Sequence, residues 1–143
     1  MRKINYIVVH CSATREGCTL TSEVLEAEHR RRGFRTTGYH YYIRRDGTVL
    51  GTRSLELPGA HCRGHNKYSI GICYEGGLDA RGNPKDTRTP EQRSALHLLV
   101  YQLLQQFRNA PCMRPPRPQS RFGRRWDGGA VGVGEAVSVL RGK

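Results

Sequence analysis

No run of apolar residues in this chain approaches the ~20 needed to cross a bilayer as a helix. That excludes a spanning helix as its organising element. Its five cysteines, Cys11, Cys18, Cys62, Cys73 and Cys112, are odd in number and include no C-x-x-C pair. Such a set argues against a disulfide scaffold or a zinc knuckle, and free thiols in a reducing compartment are the expectation. Acidic residues are scarce: 12 Asp and Glu stand against 24 Lys and Arg, a formal net charge of +12. An anionic partner fits this balance, whether nucleic acid, anionic lipid or a cell-wall polymer. So does a solvated basic surface with no specific partner. Internal repeats are missing as well. Nor does the start read as a signal peptide. Met1-Arg2-Lys3 leads straight into Ile4-Asn5-Tyr6-Ile7-Val8-Val9, too short and too β-branched for an h-region and without a small-residue cleavage site. The expectation is a chain that is cytoplasmic at synthesis and reaches anything outside only through another factor. Finally, no histidine follows His97.

What is present reads as one domain with a single core; 143 residues are enough for that. Ile4 to Val9 is a β-branched apolar run of the buried-strand type. Thr19-Leu20-Thr21-Ser22 precedes a segment with early acids, late arginines and a stop at Gly33, consistent with a helix and its dipole. Asp46-Gly47 lies between two β-type runs, Tyr39 to Ile43 and Thr48 to Thr52, and signals a hairpin. Ser69 to Tyr74 reads as another central strand, closed by Gly76-Gly77, and Leu78 to Arg88 as a loop. Thr89-Pro90-Glu91-Gln92 opens a second helix. Thr89 can cap it, Pro90 suits the first helical position, and Gln92 completes a capping box. Leu96, Leu99, Val100, Leu103 and Leu104 then share one face as far as about Phe107. Strands alternating with helices predict an α/β domain. After Ala110 the pattern changes. Pro111, Pro115, Pro116 and Pro118 break structure, and Gly128 to Gly134 has no periodicity. The division is therefore a domain over 1–110 and a basic Gly/Pro/Arg-rich tail over 111–143, expected to be disordered.

Several polar residues could carry chemistry. His10 ends a buried strand, where open α/β sheets place ligand sites. A neutral imidazole there could bind zinc, or merely cap the strand. Tyr39 enters the next strand; its hydroxyl could serve a metal-activated water or an oxyanion, or the ring could be a half-buried strand aromatic. His61 and His65 lie in a polar loop, lining a cleft or simply exposed. Periodicity does not decide among these.

Taken together, the motifs are more specific. His10-Cys11-Ser12-Ala13-Thr14 comes first, then Gly38-Tyr39-His40 with Arg44-Arg45-Asp46-Gly47-Thr48-Val49. Gly59-Ala60-His61 and Asn66-Lys67-Tyr68-Ser69-Ile70-Gly71-Ile72-Cys73 follow. In order and spacing this resembles the N-acetylmuramoyl-L-alanine amidases, and more narrowly the phage lysozyme-type branch related to peptidoglycan recognition proteins. The resemblance spans about residues 4 to 110. It implies a central mixed β-sheet flanked by helices, one catalytic Zn2+, and cleavage of the amide between the muramic acid lactyl group and L-alanine of the stem peptide. It further implies that His10 is the first zinc ligand and Tyr39 the catalytic tyrosine. His61, Asn66 and Ser69 would lie near the substrate groove. Some relatives carry a glutamate where this chain has Cys73, which favours the tyrosine-using branch.

The family continues after the long helix with Gly-His-Arg-Asp, whose histidine is the second ligand, and then a lysine shortly before Cys-Pro, whose cysteine is the third. This chain lacks both ligands as written. Read one base out of frame, however, the codons for Arg114 to Pro118 permit Gly, His, Arg and Asp in order. Those for Gly134 to Leu140 permit Val-Lys, one free position, then Cys-Pro-Cys-Phe. The expectation is a frameshifted copy of the zinc-binding segment, with the shift near Asn109 to Cys112, an incomplete zinc site and impaired activity. The expected partner is bacterial peptidoglycan, met by a monomer with no membrane association. Two alternatives are a non-catalytic peptidoglycan-binding module and a nucleic-acid or polymerase-binding regulator. The second ranks lower because the basic residues are not interleaved with an aromatic platform.

Overall fold

The computed structural model describes residues 2–107. Everything read from the sequence beyond that point, the tail and the frame shift included, lies outside the described residues. Strand β1 (Tyr6–Cys11) and strand β5 (Ser69–Tyr74) pair in parallel at the centre of a four-stranded sheet. Strand β3 (Tyr41–Ile43) adds in parallel on the other side of β5, and β4 (Val49–Gly51) closes the edge antiparallel to β3. The order β1-β5-β3-β4 is therefore a mixed sheet. The β3–β4 hairpin turns at Asp46-Gly47, where Gly47 takes a φ of 86°, a conformation that costs glycine nothing and other residues much.

Both expected helices form. Helix α1 (Ser22–Arg31) is capped by Thr21, and α2 (Pro90–Gln106) by the Thr89–Gln92 capping box. Strand β1 runs to Cys11 rather than stopping at Val9, because the parallel ladder with β5 pairs His10 with Cys73 and Cys11 with Tyr74. A second, two-stranded sheet was not anticipated. It joins β2 (Thr14–Arg15) to β6 (Gly77–Leu78), with each strand only two residues long. Two residues are too few to show any alternation. So Gly76-Gly77 does not merely end β5; it turns the chain into β6, with φ of 129° and 103° at the two glycines.

Side chains alternate across the sheet, because successive Cβ atoms of a strand point to opposite faces. Ile7, Val9 and Cys11 of β1, with Ile70, Ile72 and Tyr74 of β5, face α2 and pack with Leu96, Leu99, Val100 and Leu103. The opposite face, toward α1, receives Cys73 and Tyr42, clustered with Leu25 and Tyr39. By the same alternation His10 of β1, and Ser69 and Gly71 of β5, lie on this second face.

Glu75, which follows β5 and is 1% exposed, joins three segments. Its Oε1 accepts the Leu20 N–H at 2.8 Å and its Oε2 the Arg45 N–H at 3.1 Å. Its carbonyl accepts from Gln92 Nε2 at 2.8 Å, so one residue ties the approach to α1, the hairpin and the start of α2.

Candidate active site

The α1 face of the sheet gathers the polar residues singled out from the sequence. The His10 and Tyr39 rings lie 5.4 Å apart between centroids, and those of His10 and His61 5.1 Å apart. His10 Nε2 sits 3.0 Å from His61 Nδ1, and His61 Nε2 3.2 Å from the Ser69 hydroxyl. A hydrogen-bonded line therefore runs from Ser69 through His61 to His10.

The loop from Gly59 to Tyr68 fixes His61. Asn66 Oδ1 accepts the backbone N–H groups of His61 and Cys62, both at 2.9 Å. The His61 ring packs over Gly71 and Gly59, where a Cβ on either glycine would collide with it. The three residues expected near the substrate groove thus form one connected unit. Within it, Ser69 is buried and Asn66 holds the loop backbone.

Sequence reasoning missed the layer beneath. His40 is fully buried. Its backbone N–H donates to Gly71 O at 2.8 Å, and its Nδ1 accepts the Gly71 N–H at 3.0 Å. With Nδ1 accepting, Nε2 carries the hydrogen and donates to Leu57 O at 2.9 Å. His40 thereby binds the strand under His61 to the loop that delivers it. Arg2 spans the same region, donating to the carbonyls of Leu55 (2.6 Å), Lys67 (3.0 Å) and Ser69 (2.9 Å). His29 of α1 accepts the Gly38 N–H on Nδ1 at 2.9 Å, just before Tyr39. The Gly38-Tyr39-His40 motif was a signal for His40, but its partners are 17 and 31 residues away and no local pattern reports them.

Desolvation dominates the electrostatics. It lowers the His10 imidazole to about 4 and His40 to about 4. His61 falls to about 2, through burial first and then the neighbouring His10, His40, Arg2 and Arg53. All three are neutral at pH 7 and present lone pairs. Burial, then the Cys73 and Cys11 thiols, pushes the Tyr39 hydroxyl well above the ordinary phenol range. Burial also holds the Cys73 thiol well above its usual range. Tyr39 is therefore a proton-bearing donor, and Cys73 a thiol rather than a thiolate.

A catalytic zinc needs about three protein ligands. Among the described residues no group of three or more His, Cys, Asp or Glu side chains could hold a metal ion. His10 and His61 bring two imidazoles together there, hydrogen-bonded to each other at 3.0 Å. The described residues thus fall short of a full catalytic zinc site.

A mixed sheet with such a cleft beyond its parallel strands defines an α/β domain of the amidase and peptidoglycan-recognition fold. It superposes on the N-acetylmuramoyl-L-alanine amidase LysC from Clostridium intestinale with a TM-score of 0.76 and 26% identity, over 99% of this chain and 88% of that one. The chain belongs to the N-acetylmuramoyl-L-alanine amidase family, whose profile matches residues 1–127. It is 39% identical to the endolysin of Klebsiella phage KP32 over 112 residues, 78% of this chain and 74% of that protein. With the endolysin of Enterobacteria phage K11 it shares 37% identity over 139 residues, 94% of this chain and 89% of the other.

Proposed function

We propose that this protein is a peptidoglycan hydrolase of the phage endolysin type, cutting the muramoyl–L-alanine amide in the cleft of His10, Tyr39 and His61. The observation that supports this reading best is the convergence of those three side chains on one face of the sheet in a chain of the amidase family. His10 is the metal ligand that this segment contributes. Zinc, when bound, supplies Lewis-acid polarisation of the amide carbonyl and activation of the attacking water. The chain's own residues do the rest. Tyr39, kept protonated by its surroundings, donates a hydrogen bond toward the oxygen that gains charge. His61, held by Ser69 and Asn66, forms the cleft wall opposite Tyr39 and orients the stem peptide. The substrate is bacterial cell-wall polymer, and the basic surface suits its anionic components.

Activity of this chain as written is impaired. Downstream of a shift near Asn109 to Cys112, codons read one base out of frame permit the family's remaining histidine and cysteine ligands, which the chain as written lacks. The test compares the chain as written with a frame-restored chain, assaying bound zinc and stem-peptide release from purified cell walls. Tight zinc binding and release should be properties of the restored chain. Full activity and one tight zinc in the chain as written would refute both the frame shift and the ligand assignment. The incomplete donor set also favours a second reading, a module that holds muropeptide without cutting it. Muropeptide binding by the written chain with no release is the outcome that identifies it.

A further inference from the structure

We propose that Arg53 is a carboxylate anchor at the rim of the cleft, its guanidinium binding a free carboxylate of the stem peptide. The inference rests on the reading of the cleft as a muropeptide site and names a recognition residue for it. Arg53 follows β4, and its backbone N–H donates to His40 O at 3.3 Å. Its side chain turns toward the segment that leads into Tyr39. There Nη1 donates to Thr36 Oγ1 at 2.8 Å and to Thr37 O at 3.1 Å. The next residue, Gly38, accepts the Ala60 N–H at 3.0 Å, one position before His61. The guanidinium therefore stands beside the stretch that joins Tyr39 to the His61 loop, close enough to help keep the His61 imidazole neutral.

One part of this guanidinium is fixed and the other is open. Two acceptors engage Nη1 and hold the plane in place. Nε is enclosed and has no hydrogen-bond partner. Nη2 makes no hydrogen bond among the described residues either, but it is not enclosed. Nε and Nη2 share one edge of the planar fork, the kind of edge that takes both oxygens of a carboxylate in parallel. A buried donor left unpaired costs free energy, and such an exception needs a reason. Arg44 and Arg45 also carry an enclosed, unbonded Nε. Arg45, however, lies 3.9 Å from Glu75 Oε1, and Arg44 is near enough to Glu23 and Asp46 to help lower their carboxyls. Arg53 has Arg2 and the neutral His40 and His61 around it, and no carboxylate of the described residues pairs with it. A carboxylate arriving at Nη2 stands next to the Nε–H, and a small shift of the side chains over Nε completes the bidentate pair. The stem peptide brings such a group. Its amino end carries the muramoyl amide, so its carboxylates lie further along, away from the reacting bond.

The experiment titrates the full chain as written, by calorimetry, with an N-acetylmuramoyl peptide bearing free carboxylates and with the same peptide fully amidated. The free form should bind about tenfold or more tightly than the amidated form, as expected for hydrogen bonds to a charged group. Arg53→Ala should lose that preference and bind the two forms alike. Arg53→Lys keeps the charge without the fork and should retain only a small part of the preference. It also serves as the second variant should Arg53→Ala fail to fold, as judged by circular dichroism. An arginine that merely props up Thr36 and Thr37 would, when replaced, weaken both forms by the same factor, so the ratio of the two affinities is the readout. Arg31→Ala, exposed at the end of α1, should change nothing. Equal binding of the two forms by the unaltered chain, or a preference that survives undiminished in either Arg53 variant, would overturn the proposal while leaving the cleft a muropeptide site. Binding of neither form would overturn the muropeptide reading and the proposal together.

Discussion

The two faces of the central sheet are built from different chemistry. Toward α2 the sheet presents Ile7, Val9, Ile70 and Ile72, closed by Leu96, Leu99, Val100 and Leu103. Apart from Cys11 and Tyr74 this cluster is aliphatic, and it needs only shape and water exclusion. Toward α1 the same strands present His10, Ser69, Gly71 and Cys73, joined by Tyr39, His40 and His61. Here imidazoles, a phenol and a thiol are packed nearly as deeply, and each polar atom must be satisfied or stay neutral. One face mainly holds the fold together, and the other accepts an electrostatic cost to hold a reactive cleft. Strand β5 serves both, changing roles at every residue.

The sharpest way to separate the faces is a pair of substitutions in the frame-restored chain. Tyr39→Phe should slow stem-peptide release by about 10²–10³-fold while zinc content stays the same, because it removes a hydrogen-bond donor and not a ligand. Ile72→Ala, on the neighbouring β5 strand but facing α2, should instead cost about 2–5 kcal/mol in denaturant unfolding, the usual range for emptying a packed core site. Its specific activity per folded molecule should be nearly unchanged. If Ile72→Ala lowered turnover as much as Tyr39→Phe, the division between faces would not hold.

Acid should break the faces apart next. His40 titrates near 4 when folded and near 6.5 when unfolded, lowered first by burial and then by Arg2 and Arg53. Between these values the unfolded chain binds the extra proton. Stability is therefore complete above about pH 6.5 and falls as pH drops toward 4, by up to ~1.4 kcal/mol per pH unit for this group. Unfolding midpoints at pH 7, 5.5 and 4.5 should show the loss. His40→Asn should make the slope shallower, whereas Ile72→Ala should lower the curve without changing its slope. Equal slopes in wild type and His40→Asn would remove His40 from the account.

The smallest effect should come from the α2 cap. Thr89→Ala removes the side-chain acceptor for the Gln92 N–H and should cost about 1 kcal/mol by thermal or chemical unfolding. Stem-peptide release by the frame-restored chain, on the far face, should not respond. A change in its rate per folded molecule would mean that the cap of α2 reaches the cleft.

Local signals made α2, the hairpin and the two central strands readable in the sequence. The Thr89–Gln92 box, Asp46-Gly47 and the apolar runs each act within a few residues. The motif order likewise marked His10, Tyr39 and His61, which the fold brings to one cleft. The supporting layer was not readable. Arg2 reaches carbonyls more than 50 positions away, and His40 joins Gly71 to Leu57 only once the sheet is formed. Strands β2 and β6 escaped notice because two residues carry no period. The close approach of His61 to His10 had no sequence signal either, since it depends on how the loop from Gly59 to Tyr68 folds over Gly71.

Glu75 gives the domain a particular dynamic character. One buried carboxylate and its own carbonyl hold the chain before α1, the hairpin turn and the start of α2, which lie far apart in sequence. Freeing any one of them takes an N–H donor from a buried carboxylate oxygen or peptide carbonyl, so none can open cheaply by itself. The Leu20 and Arg45 amides should then exchange with solvent only as slowly as the whole domain unfolds, although both sit in segments that a linear map would call loops. The first helix, the hairpin and the second helix are thereby kept in one fixed arrangement around the sheet that carries the cleft.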